Sequence, residues 1–209
     1  MRELGIGRPI PRTEDFRLIQ GRGRYTNDFT LPGECHMALV RSPHAHAIIE
    51  TIDASAALEA PGVIAVLTGR DVEADGLGSL QTMVERKKRD GSPMEKPPYP
   101  ILALDRVRVA GDAVAAVFAE TVNQARDAAE LVAVEYEELP AVTDAAQAVR
   151  PGAPVIWPDL VPDNVSFVFE LGDREAADRA IAAAEHVARL DFRISRVTAN
   201  PLEPRNALA

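Results

Sequence analysis

Cys35, His36, His44 and His46 fall within twelve residues, and a thiolate with imidazoles is a donor set that zinc accepts. The local pattern opposes that chemistry. Cys35, Met37 and Leu39 alternate with His36, Ala38 and Val40, so as strand neighbours Cys35 and His36 leave opposite faces of a sheet and cannot share one ion. A nucleophilic Cys35 needs a base and an electropositive setting, whereas this run is hydrophobic. The histidines therefore read as solvated or hydrogen-bonded groups and Cys35 as a buried thiol.

Two other clusters carry chemistry-capable groups. The segment Gly21 to Tyr25, GRGRY, offers two glycines and two arginines that could cradle a phosphate or carboxylate through backbone N–H groups and guanidinium forks. It lacks the third glycine and the strand-before, helix-after setting of a dinucleotide loop, and it has no P-loop lysine; a tight turn with solvated arginines fits better. Glu135, Glu137 and Glu138 resemble an acid–base cluster, but on an alternating strand they read as a wet face. No catalytic, cofactor-binding or metal residue is assigned from these patterns.

The elements that must position such groups are legible in outline. Gly33 precedes a strand from Cys35 to Val40, and a second extended run follows at Ala47 to Ile52. Asp53 is placed to cap a short helix over Ala54 to Ala60, and Val63 to Leu67 is a short β-branched strand. From Arg70 to Pro100 the chain turns polar and proline-rich, which reads as a long surface excursion. Val107 to Ala110, a Gly111-Asp112 turn and the apolar run Ala113 to Ala119 read as a hairpin. Thr121 and Gln124 form a capping pattern for a helix from about Val122, with Ala125, Ala128, Ala129 and Val132 on one face. Val134 and Tyr136 then alternate with glutamates as a strand. Four prolines between Ala145 and Asn164 mark a connector. Asp173 caps a further helix with Ala176, Ala177, Ala180, Ile181 and Ala184 on its apolar side, and Leu190, Phe192 and Ile194 alternate as a last strand.

Composition bounds the possibilities. The 209 residues hold 23 Lys and Arg against 32 Asp and Glu, a net charge of −9, which repels phosphate backbones and argues against nucleic-acid binding. A single cysteine excludes an internal disulfide and suits a reducing cytoplasm. No stretch approaches the roughly 20 apolar residues of a membrane span, and the N-terminus lacks a signal-peptide pattern.

Several ordered strings resemble one family. GRGRYTNDFTLPGECHMALVRSPHAHAIIETIDASAALEAPGVIAVLTGRDV and YPILALDRVRVAGDAVAAVFAETVNQARDAAELVAVEYEELPAV are similar to the N-terminal part of the molybdenum-cofactor large subunit of the xanthine dehydrogenase and aldehyde oxidase superfamily. The GIGRPIPRTED arm shortly before GRGRY resembles the aerobic carbon monoxide dehydrogenase type within it. The resemblance implies an α+β fold with an extended arm over 1–19, an α/β hammerhead domain over 20–145, a proline-rich connector over 146–164 and, over 165–209, the incomplete start of the first molybdopterin-binding domain.

It further implies an oxidoreductase whose complete form carries molybdenum on a pterin cytosine dinucleotide, with electrons passing through two 2Fe–2S centres to a flavin. The implied partners are the remainder of the large subunit, a flavin-binding subunit and a 2Fe–2S subunit, in dimers of heterotrimers. The family's glycine-rich cofactor motif, substrate loop and base-supplying glutamate have no counterpart string here. This chain alone is therefore expected to bind no molybdenum cofactor and to be inactive. In the C-terminal NPLEPRNALA, the resemblance brings Glu203 and Arg205 toward the cofactor domain, with a structural ion pair as the plainer reading. The alternative is a non-catalytic assembly or interaction module that keeps the hammerhead fold and docks through the arm and the Arg70 to Pro100 excursion.

Overall fold

β5, Ala113–Ala119, is buried along nearly its whole length, and the other elements arrange themselves around it. The computed structural model describes residues 7, 9, 11–192, 194, 201, 203 and 205–209. Arg2, Gly5 and Arg8 of the expected arm, and Arg193 and Ser195 of the expected last strand, lie outside the described residues. The chain divides into two compact units, residues 1–34 with 187–209 and residues 35–186.

In the first unit, α1 (Asp15–Leu18) is a single turn, and Thr26–Asp28 form a 3₁₀ turn. Glu203 Oε1 accepts hydrogen bonds from the Thr26 backbone N–H at 3.1 Å and from its hydroxyl at 3.3 Å, joining the C-terminal segment to the GRGRY region within this unit.

The second unit contains β1 (His36–Arg41), β2 (Ala47–Asp53), α2 (Ser55–Leu58), β3 (Val63–Thr68), α3 (Gly69–Ala74), β4 (Arg106–Val107), β5, α4 (Val122–Ala129), β6 (Ala133–Glu138), α5 (Ala145–Ala148) and α6 (Arg174–Ala183). One antiparallel sheet runs β1-β5-β3 and the other β4-β2-β6. Alternation along β5 sends successive side chains to opposite faces. Ala115 and Val117 enter a cluster with Ala57, Ala128 and Val132, while Val114 enters a second one with Ala47, Ala103 and Val107. α4 covers the first cluster through fully buried Ala125 and Ala128, and the Thr121 hydroxyl oxygen caps it by accepting from Gln124 N–H at 3.3 Å.

The expected hairpin between 107–110 and 113–119 does not form. β4 pairs with β2, Ala47 opposite Val107, whereas β5 pairs with β1 and β3. The reason lies in Asp112: its Oδ2 accepts from Arg108 N–H at 2.7 Å and Val109 N–H at 3.1 Å, occupying backbone donors beside the turn. Gly111, at a φ of 92°, turns the chain from one sheet into the other.

The polar excursion also contains more structure than its composition suggests. Thr68 donates to Asp71 through both its backbone N–H and its hydroxyl at 2.7 Å, a cap that starts α3, a helix the sequence reading missed. The remainder folds back on itself through the bridges Leu80–Tyr99 and Lys87–Pro93. Among the described residues the last expected strand does not form: Leu190, Phe192 and Ile194 are exposed by 81%, 74% and 82% and belong to no ladder. Alternation yields a strand only where a neighbour completes its hydrogen bonds.

Within the proline-rich connector, Asn164 sits at a positive φ of 58°. Its Oδ1 accepts from Ile156 N–H at 3.0 Å, and its Nδ2 donates to the carbonyls of Ala148 at 2.9 Å and Pro154 at 2.8 Å. One side chain thus closes the loop that carries Trp157. Replacing it with alanine removes three hydrogen bonds of about 1 kcal/mol each, so Asn164→Ala should lower unfolding free energy by roughly 2–3 kcal/mol in urea melts followed by Trp157 emission. A loss below about 0.5 kcal/mol would contradict the clasp.

Gly69 gives a second test of packing. A Cβ there would lie 2.4 Å from the Ala103 carbonyl oxygen and 2.8 Å from Leu104 Cα, both backbone atoms that cannot swing aside. Gly69→Ala should cost about 1–3 kcal/mol as an overpacking change. Gly78→Ala, where a Cβ meets nothing within 4 Å, should stay within about 0.5 kcal/mol. Equal unfolding midpoints for the two variants would refute the close approach.

Candidate functional site

The groups nominated by sequence do not gather in one place. Cys35 is exposed, not buried as expected, and precedes β1, which starts at His36. His46 is buried, with 5% of its surface exposed. Its Nδ1 lies 2.9 Å from the Pro140 carbonyl oxygen and so carries the proton that it donates there, while Nε2 has no partner among the described residues. His44 Nδ1 sits 2.9 Å from Glu138 Oε1, and its ring tilts against Tyr136 at 4.9 Å. Burial pushes the Tyr136 hydroxyl above its ordinary value, with a hydrogen bond to Ser42 opposing the shift.

The alternation of β6 turns Val134 and Tyr136 inward and leaves Glu135 and Glu137 exposed on one face, the wet face expected, while Glu138 meets His44. Glu135 accepts from the Thr51 hydroxyl at 3.0 Å. No shared carboxylate pair results.

GRGRY is a turn. Gly21, at φ 67°, donates its N–H to Leu18 O at 3.1 Å, and Arg22 donates to Arg17 O at the same distance. These amides close the end of α1, so they are not available to a phosphate. Arg24 stacks on Phe29 at 4.9 Å. Of the two C-terminal candidates, Glu203 bonds to Thr26, and Arg205 is exposed.

A cleft that gathers three arginines lies elsewhere. Of about 470 Å³, it is bounded by Arg41 at the end of β1, Arg106 and Arg108 at β4, and Tyr99 and Trp157 on the flanking loops. The Arg108 guanidinium stacks on Trp157 at 3.6 Å. Its Nε and Nη1 reach the carbonyls of Ile156 and Arg106, each at 3.4 Å. Arg41 Nη1 donates to Gly111 O at 2.8 Å. Burial is the main force holding the Arg108 guanidinium below its ordinary value; Asp105 opposes the shift, Arg106 adds to it and Asp112 opposes it.

Sequence reasoning did not assemble this cleft, because Arg41 and Trp157 are distant in the chain. The available signal was the alternation of Arg106 and Arg108 about the buried Val107, which places both arginines on one side of an extended segment.

Among the described residues no three His, Cys, Asp or Glu side chains are grouped to hold a metal ion. No helix among the described residues is long and apolar enough to cross a membrane.

Comparison with known proteins gives a consistent picture. The nicotine 6-hydroxylase large subunit of Paenarthrobacter nicotinovorans is 41% identical over 206 residues, covering 98% of this chain and 24% of that protein. The carbon monoxide dehydrogenase large chain of Afipia carboxidovorans is 36% identical over 216 residues, covering 98% of this chain and 25% of its own length. The solved structure of reconstituted CO dehydrogenase from Oligotropha carboxidovorans superposes with a TM-score of 0.70 at 35% identity, covering 87% of this chain and 23% of that one. The chain thus spans about a quarter of the length of the curated relatives it matches. The family described as aldehyde oxidase and xanthine dehydrogenase, a/b hammerhead domain, matches residues 20–140, the stretch that holds both sheets and α4. The chain belongs to that hammerhead family, and its relatives are large subunits of molybdenum hydroxylases.

Proposed function

We propose that this chain is the N-terminal part of the large subunit of a molybdenum hydroxylase of the carbon monoxide dehydrogenase, xanthine dehydrogenase and aldehyde oxidase type. It serves there as structural scaffold while the reaction takes place on residues beyond it. The observation that carries this reading is the match of 98% of the chain to a large subunit of which it covers 24%. In this reading 1–19 is an arm, 20–145 the hammerhead domain, 146–164 the connector and 165–209 the opening of the first cofactor-binding domain.

The cofactor of the complete enzyme is molybdenum on a pterin cytosine dinucleotide, supplying the oxidising centre for the substrate, and it is held by the remainder of the large subunit. Flavin and 2Fe–2S subunits complete a cytoplasmic assembly. This chain alone binds no molybdenum cofactor and does not turn over. Support comes from coverage: the chain spans about a quarter of the length of the large subunits it matches.

The test is native mass spectrometry of the protein recovered from its source cells through an N-terminal tag. A polypeptide mass far above 22.6 kDa, accompanied by flavin and iron–sulfur partners, is the expected result. A lone 22.6 kDa chain, or one bound to unrelated proteins, would favour an interaction module instead. Retention of a molybdopterin by the isolated 209-residue chain, with dye-linked oxidation of an aldehyde or carbon monoxide, would also sink the proposal.

A further inference from the structure

Part of the charge of this acidic chain is paired locally. In the excursion after α3, Lys88 pairs with Glu95 and Lys96 with Glu85, each at 2.7 Å, and Arg89 pairs with Glu170 at 2.8 Å. The cleft beside β4 gathers three arginines. Arg41, Arg106 and Arg108 line it with a single carboxylate, Asp112, and among the described residues none of the three arginines is ion-paired. Asp112 already serves two backbone N–H groups through Oδ2.

Arg108 is the most constrained of the three. Stacking on Trp157 fixes the plane of its guanidinium, two long bonds to carbonyls occupy Nε and one edge of Nη1, and Nη2 has no acceptor among the described residues. A guanidinium stays protonated at neutral pH even when half-buried, and Asp105 and Asp112 offset only part of the cost of burying this one. An anion with two or three oxygens, presented in the plane of the fork, relieves that cost through paired charge-assisted hydrogen bonds. Tyr99, Ile101 and Pro98 supply an apolar wall to the same cleft, and its volume of about 470 Å³ falls in the range of small-molecule sites.

We infer that this cleft is a binding site for a small organic oxyanion, a phosphate or carboxylate attached to a flat apolar group, with the oxyanion on Arg106 and Arg108 and the apolar part against Tyr99 and Ile101. The inference stands on the cleft alone and does not depend on the molybdenum hydroxylase reading.

Trp157 is the sole tryptophan of the chain, so its emission reports on this site directly. The experiment titrates the full 209-residue chain with phenyl phosphate at constant ionic strength, in parallel with inorganic phosphate and with sodium chloride. The expected result is a saturable emission change with phenyl phosphate, at least about tenfold tighter than with inorganic phosphate, since the apolar part adds buried area. Arg106→Ala and Arg108→Lys should each weaken it about tenfold, as loss of a charge-assisted contact or of the planar fork does. Arg41→Ala serves as the second charge-removing variant should Arg106→Ala lose its far-ultraviolet circular dichroism. A linear response shared with sodium chloride would overturn the inference, as would unchanged affinity in folded variants. Equal affinity for inorganic phosphate would overturn the assignment of an apolar body to the ligand.

Discussion

The two-faced burial of β5 is the constraint on which the rest of this structure depends. Val114 and Val117 are fully buried on opposite sides of one strand, so each face needs its own cover. α4 and α2 supply it on one side, and the β4-β2-β6 sheet supplies it on the other. Most of the residues that meet there are small: Ala57, Ala115, Ala125 and Ala128 are buried to within 1%. Little area is buried per side chain, so stability rests on close approach of backbones, where added volume forces strain. The same logic explains Gly69, whose missing Cβ makes room for the Ala103 carbonyl.

Outside that core, single polar side chains set the path of the backbone. Asp112 binds the N–H groups of Arg108 and Val109, which separates β4 from β5 and sends them to different sheets. Asn164 binds three backbone groups, which holds the loop of Ile156 and Trp157. The stacked pair Arg108–Trp157 therefore has each partner anchored by its own polar clasp, and its geometry does not rely on long, mobile side chains finding one another. A site built this way is pre-organised, because the entropy of ordering it is spent in folding and not in binding.

The sequence made the two-fold and 3.6-fold periods visible, and those elements stand where the residues indicate: His36–Arg41, Ala47–Asp53, Val63–Thr68, Val122–Ala129, Ala133–Glu138 and Arg174–Ala183. It failed where a partner, and not a period, decides. The hairpin signal at Gly111-Asp112 was a real turn, yet the ladder went elsewhere because an aspartate had taken the donors. Leu190, Phe192 and Ile194 alternate as well as any strand, but without a neighbouring ladder they remain exposed. α3 hid inside a polar stretch whose Thr68–Asp71 cap was overlooked. The cleft was the least legible feature, since Arg41, Arg106, Arg108 and Trp157 are brought together by topology and share no local motif.

The relatives separate scaffold from specificity. A protein named for nicotine and one named for carbon monoxide align with the same residues of this chain, at 41% and 36% identity. Substrates so different in size and polarity share no recognition chemistry, so the common elements cannot be what distinguishes them. What β5 and its two covers require is independent of substrate: small residues where layers meet, a capped α4 and turns that move the chain between sheets. A core under that constraint tolerates few exchanges, whereas the loops above it are free to differ. Chemistry that belongs to this chain individually is therefore to be sought where those loops meet the strand ends, and the cleft between Arg41, Arg106, Arg108 and the loops of Tyr99 and Trp157 lies there.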